Sequence, residues 1–267
     1  MRSALPLRIN TKKLFAVGKI KMNILKGVIF FISVFSATLC SAQEVNGCVI
    51  LDHLTITEMI RSCKDVAKDK SKKDTEIALA AFRVAFLLRT GERGTPEEII
   101  GYYLLSAQKG KISAFAEIGD MYRVGYKGLK PDYKKAKYYY FQDTSLSATY
   151  FAGIAEMHLH GHEFEKSVDL AIWSFRTAAG LDDSDSLSRM QLCEIFSNDD
   201  HQKKDLVKAH FWCSSAVEAQ SDPFLKGLFE SDRLKIELQL SESQLIESNN
   251  IQQKCRKVGI LYCSGTY

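Results

Sequence analysis

The sequence predicts an all-α protein: an α/α superhelical solenoid of about four stacked helical hairpins with helical caps. Three observations carry this. Only 4 prolines and 16 glycines occur in 267 residues, too few turn-formers for a loop-rich β fold. Apolar and small residues recur three and four apart in FRVAFLLR and SAFAEIGDMYR, the spacing of one helix face. A motif of one small residue, one larger residue and one turn residue recurs along the chain at intervals of 34, 36 and 38 residues, which is the mark of a repeat array.

The first 42 residues stand apart. They hold seven basic residues and no acid, then the apolar run GVIFFISVFSATLC, then Ser41 and Ala42. That is a positive region, an apolar region and a small-residue end, the order of a signal peptide, with cleavage expected after Ala42 and Met22 as an alternative start. The apolar run is short for a bilayer span, so no stable membrane span is expected after cleavage. Leu39 before Cys40 argues against a lipid-bearing cysteine. Without these residues, 29 basic and 32 acidic side chains remain, net −3 against net +4 for the whole chain. The basic balance therefore belongs to the export segment and gives no ground for nucleic-acid binding.

Residues 43–76 are expected to form an N-terminal cap followed by KDVAKDKSKKDTE, a charge-rich linker or solvated helix. The array follows at 77–220. Its units begin Ala85-x-x-Leu88-x-x-Gly91, Gly119-x-x-Tyr122-x-x-Gly125, Ala155-x-x-His158-x-x-Gly161 and, more weakly, Cys193-x-x-Phe196-x-x-Asp199. Gly91, Gly125 and Gly161 are expected to end first helices in a left-handed turn, with Gly128 also in the turn region. Asp132 and Asp205 are expected to cap second helices, whose N–H groups they can accept. Pro96 and Pro131 suit a loop or a first turn. The small residues Ala85, Gly119, Ala136, Ala155, Ala171 and Ala209 are placed where paired helices approach, and Tyr139, Trp173 and Trp212 between neighbouring hairpins. A lone hairpin cannot bury its apolar face, but a stack can. Residues 221–267 read as a C-terminal helical cap with a loosely ordered tail after Cys255.

The second unit, Ala114-x-x-x-Ile118-Gly119-x-x-Tyr122-x-x-Gly125-x-x-Gly128 with Asp132-x-x-Lys135-Ala136, and the third unit's Ala171, Trp173 and Ala178-Ala179 resemble the Sel-one-like repeat family, relatives of the tetratricopeptide repeats. The resemblance covers residues 77–220. The first unit lacks the Lys-Ala pair, and the fourth has Cys193 and Asp199 where the family prefers glycine. It implies a right-handed superhelix whose first helices line a concave face that binds protein partners. Arg83, Asp120, Arg123 and Glu156 are then the contact candidates. Tyr138 joins them, since three tyrosines in a row cannot all face a core. Some cysteine-rich members are linked to β-lactam binding or hydrolysis, an alternative to which no nucleophile motif is assigned here.

Six cysteines remain after Cys40: Cys48, Cys63, Cys193, Cys213, Cys255 and Cys263. An even number in an exported chain favours disulfides over a zinc site, and no C-x-x-C pair occurs. Several connectivities are open; the sequence-local pairs 48–63, 193–213 and 255–263 are favoured. The glycines at 119–128 follow no strand and match no phosphate-binding spacing, so no nucleotide is expected. His158, His160 and His162 lie two apart and would not share one helix face, so neither metal nor cofactor is expected. The expected role is a periplasmic or secreted scaffold for protein partners.

Overall fold

The computed structural model describes residues 48, 54–200 and 202–263. The signal-peptide expectation over 1–42 lies outside the described residues. Among those residues, twelve helices and an isolated Tyr126–Leu129 bridge occur, and no helix is long and apolar enough to cross a membrane.

Helix α1 spans Ile56–Lys68. Four hairpins follow: α2 (Asp74–Thr90) with α3 (Pro96–Gln108), α4 (Ala114–Val124) with α5 (Tyr133–Gln142), α6 (Ala148–His160) with α7 (Val168–Leu181), and α8 (Ser186–Ser197) with α9 (Leu206–Ala219). Helices α10 (Pro223–Glu237) and α11 (Glu242–Val258) both pack on α9. The short α12 (Ile260–Cys263) packs back on α7.

The starts are fixed by local chemistry. The side chain of Thr55 caps α1, Thr95 caps α3 with Pro96 in the first turn, Asp132 accepts from Lys135 N at 3.0 Å, and Asp205 accepts from Lys208 N at 3.0 Å. Each bond satisfies a donor the helix leaves open. The caps also close the hairpins in one repeated way. Asp132 N donates to Tyr122 O at 2.7 Å, Ser167 N to His158 O at 2.9 Å, and Asp205 N to Phe196 O at 2.8 Å. The three acceptors are the middle residues of the repeat motif, so units two to four share one backbone register although Tyr, His and Phe differ in chemistry. The first unit closes differently, with Arg93 N and Gly94 N both donating to Leu88 O.

Ala85, Gly119, Ala136, Ala155, Ala171 and Ala209 are all buried. Close approach is most demanding at Tyr140, which lies between two glycines. A Cβ on Gly119 would stand 2.8 Å from its ring, and one on Gly153 would stand 2.1 Å from its Cζ and hydroxyl. Gly161 adopts the left-handed conformation (φ 74°, ψ 32°), and Gly125 and Gly128 also have positive φ. Gly91 does not: its φ is −79°, and the positive φ in that turn falls on Glu92.

Other expectations are corrected. The charge-rich run at 64–76 is not one linker. It is divided between the end of α1, a short turn and the start of α2 at Asp74. Trp212 is fully buried, but Trp173 is 58 % exposed and meets Phe151 edge-on at 5.6 Å instead of filling the space between hairpins. Position 173 lies two residues beyond buried Ala171, which turns it away from the partner helix. The chain after Cys255 is not loose as far as Cys263, since Ile260 and Cys263 join the core of the last two hairpins.

Three disulfides are present: Cys48–Cys63, Cys193–Cys213 and Cys255–Cys263, with Cα separations of 4.3, 5.1 and 5.0 Å. The middle one joins the two helices of the fourth hairpin. Alkylation of unfolded, unreduced protein is expected to label none of these six cysteines by mass spectrometry; labelling at any pair would remove that bridge.

Candidate functional site

Two groups of residues call for a functional account: the charged side chains of the first helices, and a row of rings along α5, the start of α6 and α7. In the first, the candidates are engaged with one another. Arg89 on α2 donates to Glu117 Oε2 at 3.0 Å and to Asp120 Oδ2 at 2.7 Å, both on α4. Arg123 donates through Nη2 to Asp120 Oδ1 at 2.7 Å and through Nε to the Tyr140 hydroxyl at 3.3 Å. Thr149 at the start of α6 donates to Glu117 Oε1 at 3.0 Å, and farther along α6 His160 lies 3.4 Å from Glu156. Arg89, Glu117, Asp120 and Arg123 thus form one little-exposed charged set across α2 and α4, which Thr149 ties to α6, while Glu156 pairs with the half-exposed His160 within α6.

Its electrostatics follow from burial and pairing. Burial and the neighbouring Asp120 push the Glu117 carboxyl up, more than Arg89 pulls it down. For Asp120 burial also raises, but Arg123 and Arg89 outweigh it and hold the carboxyl below its ordinary value. Glu156 is lowered too: burial is outweighed by the His160 hydrogen bond and by Arg123. Burial, and then Asp120, push the Tyr140 hydroxyl far up, so it stays neutral.

Asp120, Arg123 and Glu156 are therefore not spare residues of the first helices; Asp120 and Arg123 bind the stack internally. Arg83 is also engaged, donating to Cys48 O at 3.1 Å and holding the N-terminal bridge against α2. For Arg83 and for the Arg89–Asp120 pair the partners lie 35 and 31 residues away in adjacent elements, whereas Asp120–Arg123 and Glu156–His160 are pairs within one helix.

The second group is aromatic. Within α5 the three tyrosines separate cleanly. Tyr140 is buried, Tyr139 stacks in parallel on Tyr122 at 5.6 Å, and Tyr138 is 60 % exposed. Phe141, 54 % exposed, meets Tyr150 at 6.4 Å. Tyr150 meets Phe151 at 5.1 Å, and Phe151 meets Trp173. An aromatic ridge thus runs from α5 through the start of α6 to α7. Phe141, Tyr150, Phe151 and Leu170 were not singled out in the sequence; exposed aromatics on helices of mixed polarity give no periodic signal.

The catalytic alternatives resolve into structural bonds. Contrary to the expectation that no S-x-x-K motif occurs, Ser106-x-x-Lys109 has that spacing, but Ser106 is fully buried and donates to Ala78 O at 2.7 Å, while Lys109 pairs with Asp74 at 2.8 Å. His210 Nδ1 lies 2.9 Å from Ser248 Oγ, with Glu237 3.7 Å from its other nitrogen. Ser248 is fully buried and His210 nearly so, and burial holds that imidazole below its ordinary pKa. This group joins α9, α10 and α11 and offers a substrate no approach to the hydroxyl. His162 stacks on Tyr133 at 3.8 Å and lies 5.8 Å from His160, while His158 lies against Phe164. Among the described residues no cluster suited to a metal occurs.

Three hairpins closed through the same motif position complete the pattern. The chain resembles Sel1-like repeat proteins. No family model matches it, and no curated protein does. Among solved structures it is similar to a Sel1 repeat protein from Oxalobacter formigenes, at TM-score 0.48 and 18% identity over 75% of this chain and 80% of that one. It is also similar to a protective antigen of uropathogenic Escherichia coli displaying an SLR fold, at TM-score 0.43 and 18% identity over 73% of this chain. The chain spans about half of that antigen's length, 48%. In this array of stacked hairpins one set of side chains is paired by charge and another forms a row of rings.

Proposed function

We propose that this protein is an exported interaction scaffold that holds a protein partner on the aromatic ridge running along α5, the start of α6 and α7. The observation that carries this is the ridge of Phe141, Tyr150, Phe151 and Trp173 on three adjacent helices, with Tyr138 and Leu170 exposed beside it. Large rings fixed on rigid helices lose little freedom on docking, and such residues dominate protein interfaces. The charged residues of the concave side expected from the resemblance brace the array instead. Three disulfides support an oxidising compartment.

The test is affinity capture with the Phe141→Ala/Trp173→Ala double variant against the parent protein, followed by titration of the captured partner. The expected result is a loss of roughly thirtyfold or more in affinity, the effect of removing about 2 kcal/mol of anchoring contacts, with unchanged circular dichroism. Undiminished capture by the folded variant would place the contact elsewhere.

A further inference from the structure

The surface beside this ridge has the opposite charge to the rest of the protein. Residues 126–139 hold five lysines, Lys127, Lys130, Lys134, Lys135 and Lys137, against one acid, Asp132. That local excess of four positive charges sits in residues 43–267, which are net −3 as a whole. Lys127, Lys130, Lys134 and Lys135 are exposed.

The lysines are interleaved with rings. Lys135 lies 5.1 Å from the centre of the Tyr122 ring, and Lys137 lies 4.0 Å from that of Phe164, which in turn meets Phe141 at 6.3 Å. Acid neutralisation is sparse: Lys135 reaches Asp132 at 3.7 Å, and Lys137 donates to the Glu163 carbonyl at 2.8 Å. Toward the other end of α5 the surface turns apolar, with Tyr138, Phe141 and then Leu146 exposed.

A basic end and an apolar end on one short helix call for a ligand that carries both complements. We infer that α5 and the turn before it dock an acidic polypeptide segment, with carboxylates against Lys127, Lys130 and Lys134 and an aromatic or aliphatic side chain against Phe141 and Leu146. The inference rests on the interaction-scaffold reading above. An anionic glycan would satisfy the lysines, but its hydroxyls would leave Phe141 and Leu146 without apolar partners. Charges of opposite sign across such a surface add specificity and a strong salt dependence.

The test is fluorescence anisotropy of the full chain with a labelled peptide alternating glutamate with leucine and phenylalanine. A second peptide replaces every glutamate with glutamine, and polygalacturonate serves as the glycan probe. The acidic peptide is expected to bind at least about tenfold more tightly than the glutamine peptide, and to lose at least about tenfold on raising salt. Lys130→Glu/Lys134→Glu and, separately, Phe141→Ala are each expected to weaken it about tenfold or more, with circular dichroism unchanged. Equal binding of the two peptides overturns the inference. So does tight polygalacturonate binding that Phe141→Ala leaves unchanged, which would mark a glycan site. If Phe141→Ala/Trp173→Ala abolishes capture of the partner while Lys130→Glu/Lys134→Glu leaves the acidic peptide bound, the acidic assignment falls and the ridge stands.

Discussion

Gly153→Val is expected to lower stability by about 3 kcal/mol, an overpacking cost at the upper end for buried positions. The cause is Tyr140. Even a methyl group on Gly153 would enter the space of its Cζ and hydroxyl, at 2.1 Å. The ring is held in place: Gly119 also lies close against its Cδ1 and Cε1, and the hydroxyl accepts from Arg123. Tyr140 is fully buried and joins the core between the second and third hairpins, so any shift is passed to both. Urea unfolding of the variant should show a lower midpoint with an unchanged slope. The coupling can be read directly: Gly153→Ala should cost markedly less when Tyr140→Leu is already present, and additive costs would show that the two do not share this space.

The second large effect is expected at Asp120. Asp120→Ala leaves Arg89 and Arg123, both little exposed, without the carboxylate between them, and removing one partner of such a buried set costs about 3–5 kcal/mol. Asp120→Asn keeps the shape and two acceptor sites and should cost less. The same charged side chains set an acid response. Asp120 and Glu156 have folded pKa values below their ordinary ones, so each adds stability above about pH 4 that is lost as pH falls through the folded value. Glu117 acts in the opposite sense: its pKa is raised, so it takes up a proton first and relieves its repulsion with Asp120. The parent protein is therefore expected to hold its urea midpoint down to about pH 4 and then lose it steeply. Asp120→Asn should flatten that fall; an unaltered profile would show that other carboxylates govern it.

How much of this was legible depended on whether a residue's role repeats. Gly119, Ala136, Ala155 and Ala209 could be placed because packing of one helix pair demands the same small residue in each unit. Asp132 and Asp205 could be placed because capping is settled within three residues. Gly153 was missed because its need arises from a single ring, Tyr140, and no other unit repeats it. Asp120 was read as free because helix periodicity does not tell whether Arg89 of the neighbouring hairpin answers its charge, and Arg123 because its i,i+3 pairing with Asp120 was not considered. Trp173 was read as core because its size suggested burial, whereas its position beyond Ala171 turns it outward. The candidate surface was visible in the sequence only at Tyr138. Phe141 shares α5 with Tyr138, but Tyr150, Phe151 and Trp173 come from α6 and α7 and become its neighbours only when the hairpins stack.

The three disulfides close loops of 15, 20 and 8 residues, and none joins one end of the array to the other. Each cysteine finds its mate in the same hairpin or cap. As the chain lengthens from its N-terminus, every bridge can be completed before the next cysteine pair has emerged, so oxidation can proceed in order without sorting among the six. The arrangement also leaves the first three hairpins with no crosslink of their own. Under tension applied at the two ends, those hairpins are where the protein would extend, between covalently clipped ends that resist.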